Sequence, residues 1–120
     1  MPLRSIEQAR ASAAWGFAED NRSDKFETIV TKIPTYIKTN GLLNTLAFLY
    51  SKKEYEPALT CIRLWLINPE FGQIREQLNT NAALMNYLVR IQPDNARLLI
   101  QYTSEIMALF IWLRRFVKSE

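Results

Sequence analysis

Residues 33–53 read IPTYIKTNGLLNTLAFLYSKK and contain the end of one helix, a glycine stop and a second helix. Glycine adopts the left-handed conformation that closes a helix without steric cost, so Asn40-Gly41 marks the end of the first of these helices. Apolar side chains then lie nearly all round residues 42–50. A helix of that kind must be buried, so we expect it at the centre of a small all-helical protein.

Two helices are predicted upstream of Gly41. The first spans about residues 5–19, and its inward face is predicted to contain Ile6, Arg10, Ala13 and Phe17. Arg10 is expected to add its aliphatic stem, rather than its charge, to that face. Trp15 falls on the opposite side, where two interpretations stay open: a groove-filling surface tryptophan or an anchor for a protein interface.

The second helix is predicted to open at Asp24, since Asp24 and Glu27 have the spacing of an N-terminal capping arrangement. Its inward stripe contains Phe26, Ile29, Val30, Ile33 and Ile37. Pro34 lies inside this stripe, and proline removes a backbone donor and clashes with the preceding turn. We therefore expect the helix to bend or to start again near Ile33.

Two further helices are predicted between residues 54 and 91. Pro57 suits the first turn of the fourth helix, and Asn68-Pro69 ends it. The inward face of this helix contains Ala58, Leu59, Ile62, Trp65 and Leu66. Phe71-Gly72 and the polar residues 73–81 are ambiguous and could form a short helix and a loop. The fifth helix follows over about residues 82–91, with Leu84, Leu88 and Ile91 inward.

The last helix is predicted to start at Pro93-Asp94 and to run to about residue 118. One arc of roughly 120° on this helix holds Leu98, Leu99, Tyr102, Ile106, Leu109, Phe110, Leu113, Phe116 and Val117. No stretch alternates with strand period over more than a few residues. The sequence therefore predicts an all-α protein, a compact single-domain bundle of five to six helices over residues 1–120 with a long C-terminal helix.

Length and composition agree with one soluble globular domain. The chain has 120 residues, 48% of them hydrophobic and 22% charged, and a net charge of +3 that permits an anionic partner without demanding one. A single cysteine, Cys61, excludes an intrachain disulfide and fits a reducing cytoplasm. The longest uninterrupted apolar run, residues 106–113, is eight residues long, against the roughly 20 that a membrane-spanning helix needs. We therefore expect a cytoplasmic protein with no membrane association.

Catalytic chemistry finds little support in this sequence. The absence of histidine removes the usual metal ligand and the usual general base, and it leaves Cys61 without its natural activator. The three glycines, at positions 16, 41 and 72, are isolated, so neither common phosphate-binding loop can form. We expect no enzyme activity, no catalytic residue, no metal, no cofactor and no small-molecule substrate.

Basic and apolar side chains outside the core suggest binding instead. The candidate RNA-contacting residues are Lys32, Lys38, Lys52, Lys53, Arg114, Arg115 and Lys118. Separated lysines of this kind are what sequence-independent phosphate contact needs, although ordinary solvation explains any one of them. Beside the C-terminal cations, the far side of the last helix carries an apolar strip that a monomer does not need. The candidate protein-interface residues are Trp15, Ile100, Met107 and Ile111.

Two motifs resemble those of one known family. The first runs from Ile33-Pro34 and Ile37-Lys38 through Asn40-Gly41-Leu42 to residues 45–49 and Ser51-Lys52. The second is the C-terminal WLRRF of residues 112–116, preceded by Leu109, and the Trp65-Leu66 pair fits as well. Both are similar to the small all-helical subunit of the Cmr-type (type III-B) CRISPR RNA-guided effector complex. Residues 68–81 and Val117 depart from the family's pattern.

The resemblance implies a non-catalytic subunit that stacks in several copies beside the backbone filament holding the guide RNA, in antiviral defence. It implies that a basic face helps to line the channel for target RNA, with Lys38, Lys52, Arg114 and Arg115 as the best candidates. The backbone subunit, the large subunit and further copies of the chain would then be its partners. Two alternatives stay open: the related type III-A small subunit, and a helical protein-interaction module without a nucleic-acid role.

Overall fold

The computed structural model describes residues 5–91 and 95–118, and within them the chain forms six α-helices and no strand. The helices are α1 (Ile6–Asp20), α2 (Asp24–Asn40), α3 (Leu42–Ser51), α4 (Glu56–Leu66), α5 (Asn81–Val89) and α6 (Ala96–Phe116). A short 3-10 turn, Lys53–Tyr55, leads into α4. The all-α prediction and the long C-terminal helix are confirmed, whereas the predicted start at Pro93-Asp94 lies outside the described residues.

Serine side chains cap the first two helices. Ser5 forms a full capping box with Gln8 at the start of α1. At the start of α2, the Ser23 hydroxyl accepts a hydrogen bond from the Phe26 amide at 3.1 Å. Our assignment of Asp24 and Glu27 as the cap was therefore wrong by one residue, and Asp24 instead lies in the first turn, where a carboxylate favours the positive end of the helix dipole.

Helix α2 runs without interruption through Pro34, so the predicted restart near Ile33 does not occur. Its inward stripe from Phe26 to Ile37 is buried as predicted. The helix ends at Gly41, whose φ of 82° is the positive backbone angle that glycine was expected to supply. The Gly41 amide donates to the Ile37 carbonyl at 2.8 Å, and α3 begins at the next residue.

Helix α3 is buried on one face rather than all round. Leu42, Leu46 and Leu49 lie in the core, but Phe48 and Tyr50 on the outer side are 36% and 50% exposed. The prediction of an entirely buried helix was therefore wrong. The helices that contact α3 are α2, α4 and α5, with the 3-10 turn, and their packing leaves the outer side open.

Helix α4 carries the buried face that was predicted for it, with Pro57 in its first turn. The ambiguous segment after it forms an irregular loop, not a helix, up to Thr80, the N-cap of α5. Ile74 and Leu78 of this loop are nonetheless buried. The Arg63 guanidinium fixes the loop by donating to the Leu78 carbonyl and to the Asn81 side chain, both at 2.9 Å.

A tight turn after α4 explains one glycine. A Cβ atom at Gly72 would lie 2.4–2.6 Å from backbone atoms of Asn68 and Leu66, which is too close for any other residue without a shift of the chain.

Helix α6 packs against α1, α2 and α4. Six members of its predicted arc are buried, whereas Leu98, Leu99 and Phe116 are partly buried. By length and composition α6 alone among the described helices could also cross a membrane. Its buried arc within the bundle is what a core helix of a globular protein shows. Helix α1 contributes Ala9, Ala14 and Ala18 to the core, which the predicted face did not include. The predicted residues Ile6, Arg10, Ala13 and Phe17 are partly buried, and Ala13 and Phe17 pack against the core.

Candidate nucleic-acid and protein interfaces

A buried ion pair lies at the centre of the bundle. The Arg10 guanidinium donates through Nε and Nη2 to the two oxygens of Glu105, each at 2.8 Å. The Trp65 indole Nε1 also donates to Glu105 Oε1, at 2.9 Å. These bonds join α1, α4 and α6 through one carboxylate. The expectation that Arg10 contributes its stem rather than its charge was therefore wrong.

The electrostatics of this group identify it as structural. Hydrogen bonding from Arg10 lowers the pKa of Glu105 against the opposing effect of burial, and the Trp65 hydrogen bond lowers it further. The carboxylate is consequently charged at neutral pH and accepts three hydrogen bonds. The sequence contained a sign of this ion pair, since Arg10 and Glu105 are each a charged residue within an apolar helix face, and a buried charge needs a partner.

Cys61 is also part of the core. Its side chain is buried, and burial raises the pKa of the thiol to about 12. The Asn21 side chain lies 3.9 Å from the sulfur. A thiol with this pKa is a poor nucleophile, so the packing role expected for Cys61 fits its surroundings.

An aromatic surface lies where α1 meets the end of α6. Trp15 is 51% exposed and packs edge-on against Phe116, with ring centroids 5.2 Å apart. Trp112 lies 6.0 Å from Phe116 and donates its indole N–H to Glu7 at 2.9 Å. The Arg115 guanidinium sits over the Trp112 ring at 5.8 Å. One candidate RNA residue and one candidate interface residue thus share this surface.

A cavity of about 290 Å³ lies between α2 and α3, and we call it the hairpin cavity. Its lining residues are Tyr36, Asn40, Asn44, Thr45 and Phe48. Tyr36 and Phe48 meet edge to face, with centroids 5.8 Å apart and an angle of 87° between the rings. Tyr55, from the 3-10 turn, packs against Phe48 at 5.4 Å. The sequence reasoning missed this cavity because it placed Phe48 in the core.

The candidate cations do not form one cluster. All seven are exposed, and none forms an ion pair with another described residue. Lys38 lies near the α2–α3 turn, which faces the N-terminal half of α6 across a groove lined by Gly41 and Ile100. Arg114 and Arg115 lie at the other end of α6, on the order of 20 Å away along the helix. The cations therefore occupy separate parts of the surface.

The two lysines after α3 differ in their surroundings. Lys53 lines a depression that also contains Asp20 and Glu56, so nearby carboxylates oppose its charge. Lys52 lines none of the depressions described above and follows Phe48 by one helical turn. An anionic ligand would meet a more positive surface at Lys52.

The predicted apolar strip on α6 is interrupted. Ile100 and Ile111 are 69% and 55% exposed, as an interface would require. Met107 between them is partly buried and packs against the core. Leu64 and Val89 are further exposed apolar residues that the sequence reasoning did not select.

Comparison with known proteins identifies one family. A family model described as CRISPR-associated protein (Cas_Cmr5) matches residues 6–120. No solved structure matches the chain. Among the described residues, no group of three or more histidine, cysteine, aspartate or glutamate side chains could hold a metal ion.

Proposed function

The chain belongs to the Cas_Cmr5 family of CRISPR-associated proteins, and from this membership we propose that it is a non-catalytic small subunit of a type III-B (Cmr) effector complex. The match over residues 6–120 carries the proposal, since it covers nearly the whole chain. In this role the protein stacks in several copies along the filament of backbone subunits that holds the guide RNA. It acts in the cytoplasm, as a single helical domain, in defence against foreign nucleic acid.

We further propose that its cations line the channel for target RNA through sequence-independent phosphate contacts. The exposure of Lys38, Lys52 and Arg115, and their freedom from ion pairs within the described residues, support this role. Lysine charges of this kind bind phosphate without reading bases. Because Asp20 and Glu56 lie beside Lys53, we rank Lys53 below Lys52 for RNA contact.

Charge reversal in the assembled complex tests the RNA role. The variant carries Lys38→Glu, Lys52→Glu and Arg115→Glu, and we expect target RNA to bind more weakly, with a loss that grows as salt falls. A matched control carries Arg75→Glu, Arg90→Glu and Arg97→Glu, three exposed arginines outside the candidate set. Equal affinity of both complexes for target RNA would remove the RNA role from these three residues.

A protein-interaction module without a nucleic-acid role is the second candidate function. The exposure of Trp15, Ile100 and Ile111 favours it, because each offers a large apolar side chain that a protein partner could cover. Both functions predict association through apolar faces, so self-association does not separate them. Co-purification from native cells does: recovery of neither CRISPR RNA nor other effector subunits would favour the second function. Recovery of type III-A rather than type III-B subunits would instead favour the related small subunit.

A further inference from the structure

The hairpin cavity has a regular construction along α2 and α3. Tyr36 meets Phe48 across the two helices. One turn nearer the connecting Gly41, Asn44 Nδ2 donates to the backbone carbonyl of Asn40 at 3.1 Å. Tyr36 and Asn40 are four residues apart on α2, and Asn44 and Phe48 are four apart on α3, so each of these pairs shares one face of its helix. The cavity is therefore lined by two aromatic rings and, nearer Gly41, by two asparagines.

The same spacing places two lysines at the opposite end of this face. Lys32 is four residues before Tyr36 on α2, and Lys52, the C-cap residue that follows α3, is four residues after Phe48. The 3-10 turn that follows Lys52 contacts α2, and its Tyr55 packs on Phe48. Both lysines are exposed and form no ion pair within the described residues. Along the two helices, the aromatic rings thus lie between the asparagines near Gly41 and the two lysines at the opposite end.

This arrangement matches the parts of an unpaired nucleotide. Exposed bases of single-stranded RNA stack on aromatic side chains and hydrogen-bond through their edges. Tyr36 and Phe48 stand nearly perpendicular, so a planar base can lie against one ring while its edge meets the other. Asparagine amides offer both donors and acceptors to a base edge, and lysines bind phosphate. The cavity of about 290 Å³ lies near the lower end of the size range of ligand pockets.

We propose that the hairpin cavity takes one unpaired base of single-stranded RNA, stacked against Tyr36 and Phe48, with its phosphate held by Lys32 and Lys52. The inference rests on the proposed RNA-binding function and adds a base contact to it. The base is held by stacking, which every base allows, so the site is tolerant of sequence. The unpaired positive charges at its edge favour RNA over an apolar peptide as the occupant.

The test compares two oligomers that share phosphates but differ in bases. Fluorescence anisotropy measures the binding of the full chain, at low salt, to a labelled uridine 12-mer and to an abasic ribose-phosphate 12-mer. We expect the uridine oligomer to bind at least about fivefold more tightly, and Phe48→Leu to remove most of this difference. Leucine keeps the apolar volume of the site but has no ring on which a base can stack. Binding of the abasic oligomer should not change in this variant.

Two control variants separate base contact from phosphate contact. Tyr50→Leu removes an exposed ring that lies on α3 but does not line the cavity, and it should leave both affinities unchanged. Lys38→Glu should weaken both oligomers equally, since Lys38 lies on another face of α2 and is proposed to contact phosphate. If Lys38→Glu left both affinities unchanged while Phe48→Leu removed the preference for uridine, the result would contradict the phosphate contact of Lys38 but not the base pocket.

A further variant guards against loss of folding, since Phe48 packs on Tyr36 and Tyr55. Asn44 is exposed, so Asn44→Ala should keep the fold, checked by circular dichroism, and should weaken the uridine oligomer about twofold to threefold. The base pocket is overturned if wild type binds both oligomers equally or neither. It is also overturned if folded Phe48→Leu protein keeps the full preference for uridine, or if that variant changes only the recovery of protein partners.

Discussion

Glu105 shows how one residue can organise three helices. Its carboxylate lies in the apolar arc of α6 and is 9% exposed at the side chain. Such a charge is tolerated because Arg10 and Trp65 fill its acceptor positions with three short hydrogen bonds. A buried pair of this kind adds little net stability compared with apolar residues, but removal of one partner leaves the other charge uncompensated.

Glu105→Gln should therefore destabilise the protein by about 2–4 kcal/mol. The amide keeps the shape of the side chain, but it loses the charge and turns an NH₂ group towards either Arg10 or Trp65. Urea unfolding followed by tryptophan fluorescence measures the free energy of unfolding. The matched control is Glu19→Gln, which removes a half-exposed carboxylate 3.5 Å from Arg22 and should cost less than about 1 kcal/mol. Similar losses in the two variants would contradict a central role for Glu105.

The same carboxylate should make stability depend on pH. Since the pKa of Glu105 is lower in the folded state than the ordinary value of 4.5, the unfolded chain takes up its proton first as the pH falls. The stabilisation is thus fully present above about pH 5 and is lost as the pH falls below 4.5 through the folded-state pKa. We expect the difference in unfolding free energy between wild type and Glu105→Gln to shrink from pH 6 to pH 3. A difference that stayed constant over this range would exclude Glu105 as the titrating group.

At the scale of the elements, Gly41 sets the angle between α2 and α3 and so the shape of the hairpin cavity. Gly41→Ala should destabilise the protein by about 1–2 kcal/mol, because a Cβ atom is strained at the φ of 82°. Thermal unfolding by circular dichroism measures the loss. Gly16→Ala is the matched control: a Cβ added at Gly16, inside α1, would meet no neighbouring side chain within 4 Å, so alanine should stabilise by about 0.5–1 kcal/mol. Equal effects of the two substitutions would show that backbone strain at Gly41 is unimportant.

The helices were predictable where the apolar periodicity and the residues that start or stop a helix agree. The stripe from Phe26 to Ile37 and the stop at Gly41 follow from local rules, and the structure contains both. Local rules fail where the burial of a residue depends on which other helices pack against it. The apolar character of α3 does not say which helices cover it, so Phe48 was placed in the core. The loop before α5 buries Ile74 and Leu78, which are four residues apart as on a helix, so their spacing does not reveal that the segment is a loop.

At the scale of the whole molecule, the positions of the candidate cations are set by helix packing. The sequence shows that Lys38 and Lys52 flank α3 and that Lys32 stands four residues before Tyr36, but not that Tyr36 meets Phe48 beside a cavity. It likewise cannot show that Trp15 packs against Phe116, since this contact forms only where α1 meets α6. The family motifs could be recognised without this knowledge because they are read from residue order, whereas a surface depends on contacts distant in sequence.

Phosphate contacts and the proposed base contact should differ in their response to salt. For single strands, the logarithm of affinity falls with the logarithm of salt concentration by a slope of about −0.7 for each phosphate that is neutralised. Lys38→Ala removes one positive charge, so its slope for a uridine 12-mer should be shallower than that of wild type by about 0.7. Phe48→Leu removes no charge, so it should lower the affinity at every salt concentration and leave the slope unchanged.

Anisotropy titrations at several salt concentrations measure these slopes, with Arg97→Ala as the control for an exposed cation outside the candidate set. Arg97→Ala should reproduce the wild-type line, because the charge it removes does not touch the strand. If Lys38→Ala lowered the affinity by the same factor at all salt concentrations, Lys38 would act through the fold rather than on phosphate. If Phe48→Leu flattened the slope, the hairpin cavity would be positioning the lysines and not binding a base. Because Lys38 does not line the hairpin cavity and Phe48 does, the charge and the ring can be removed separately, and this makes the two outcomes separable.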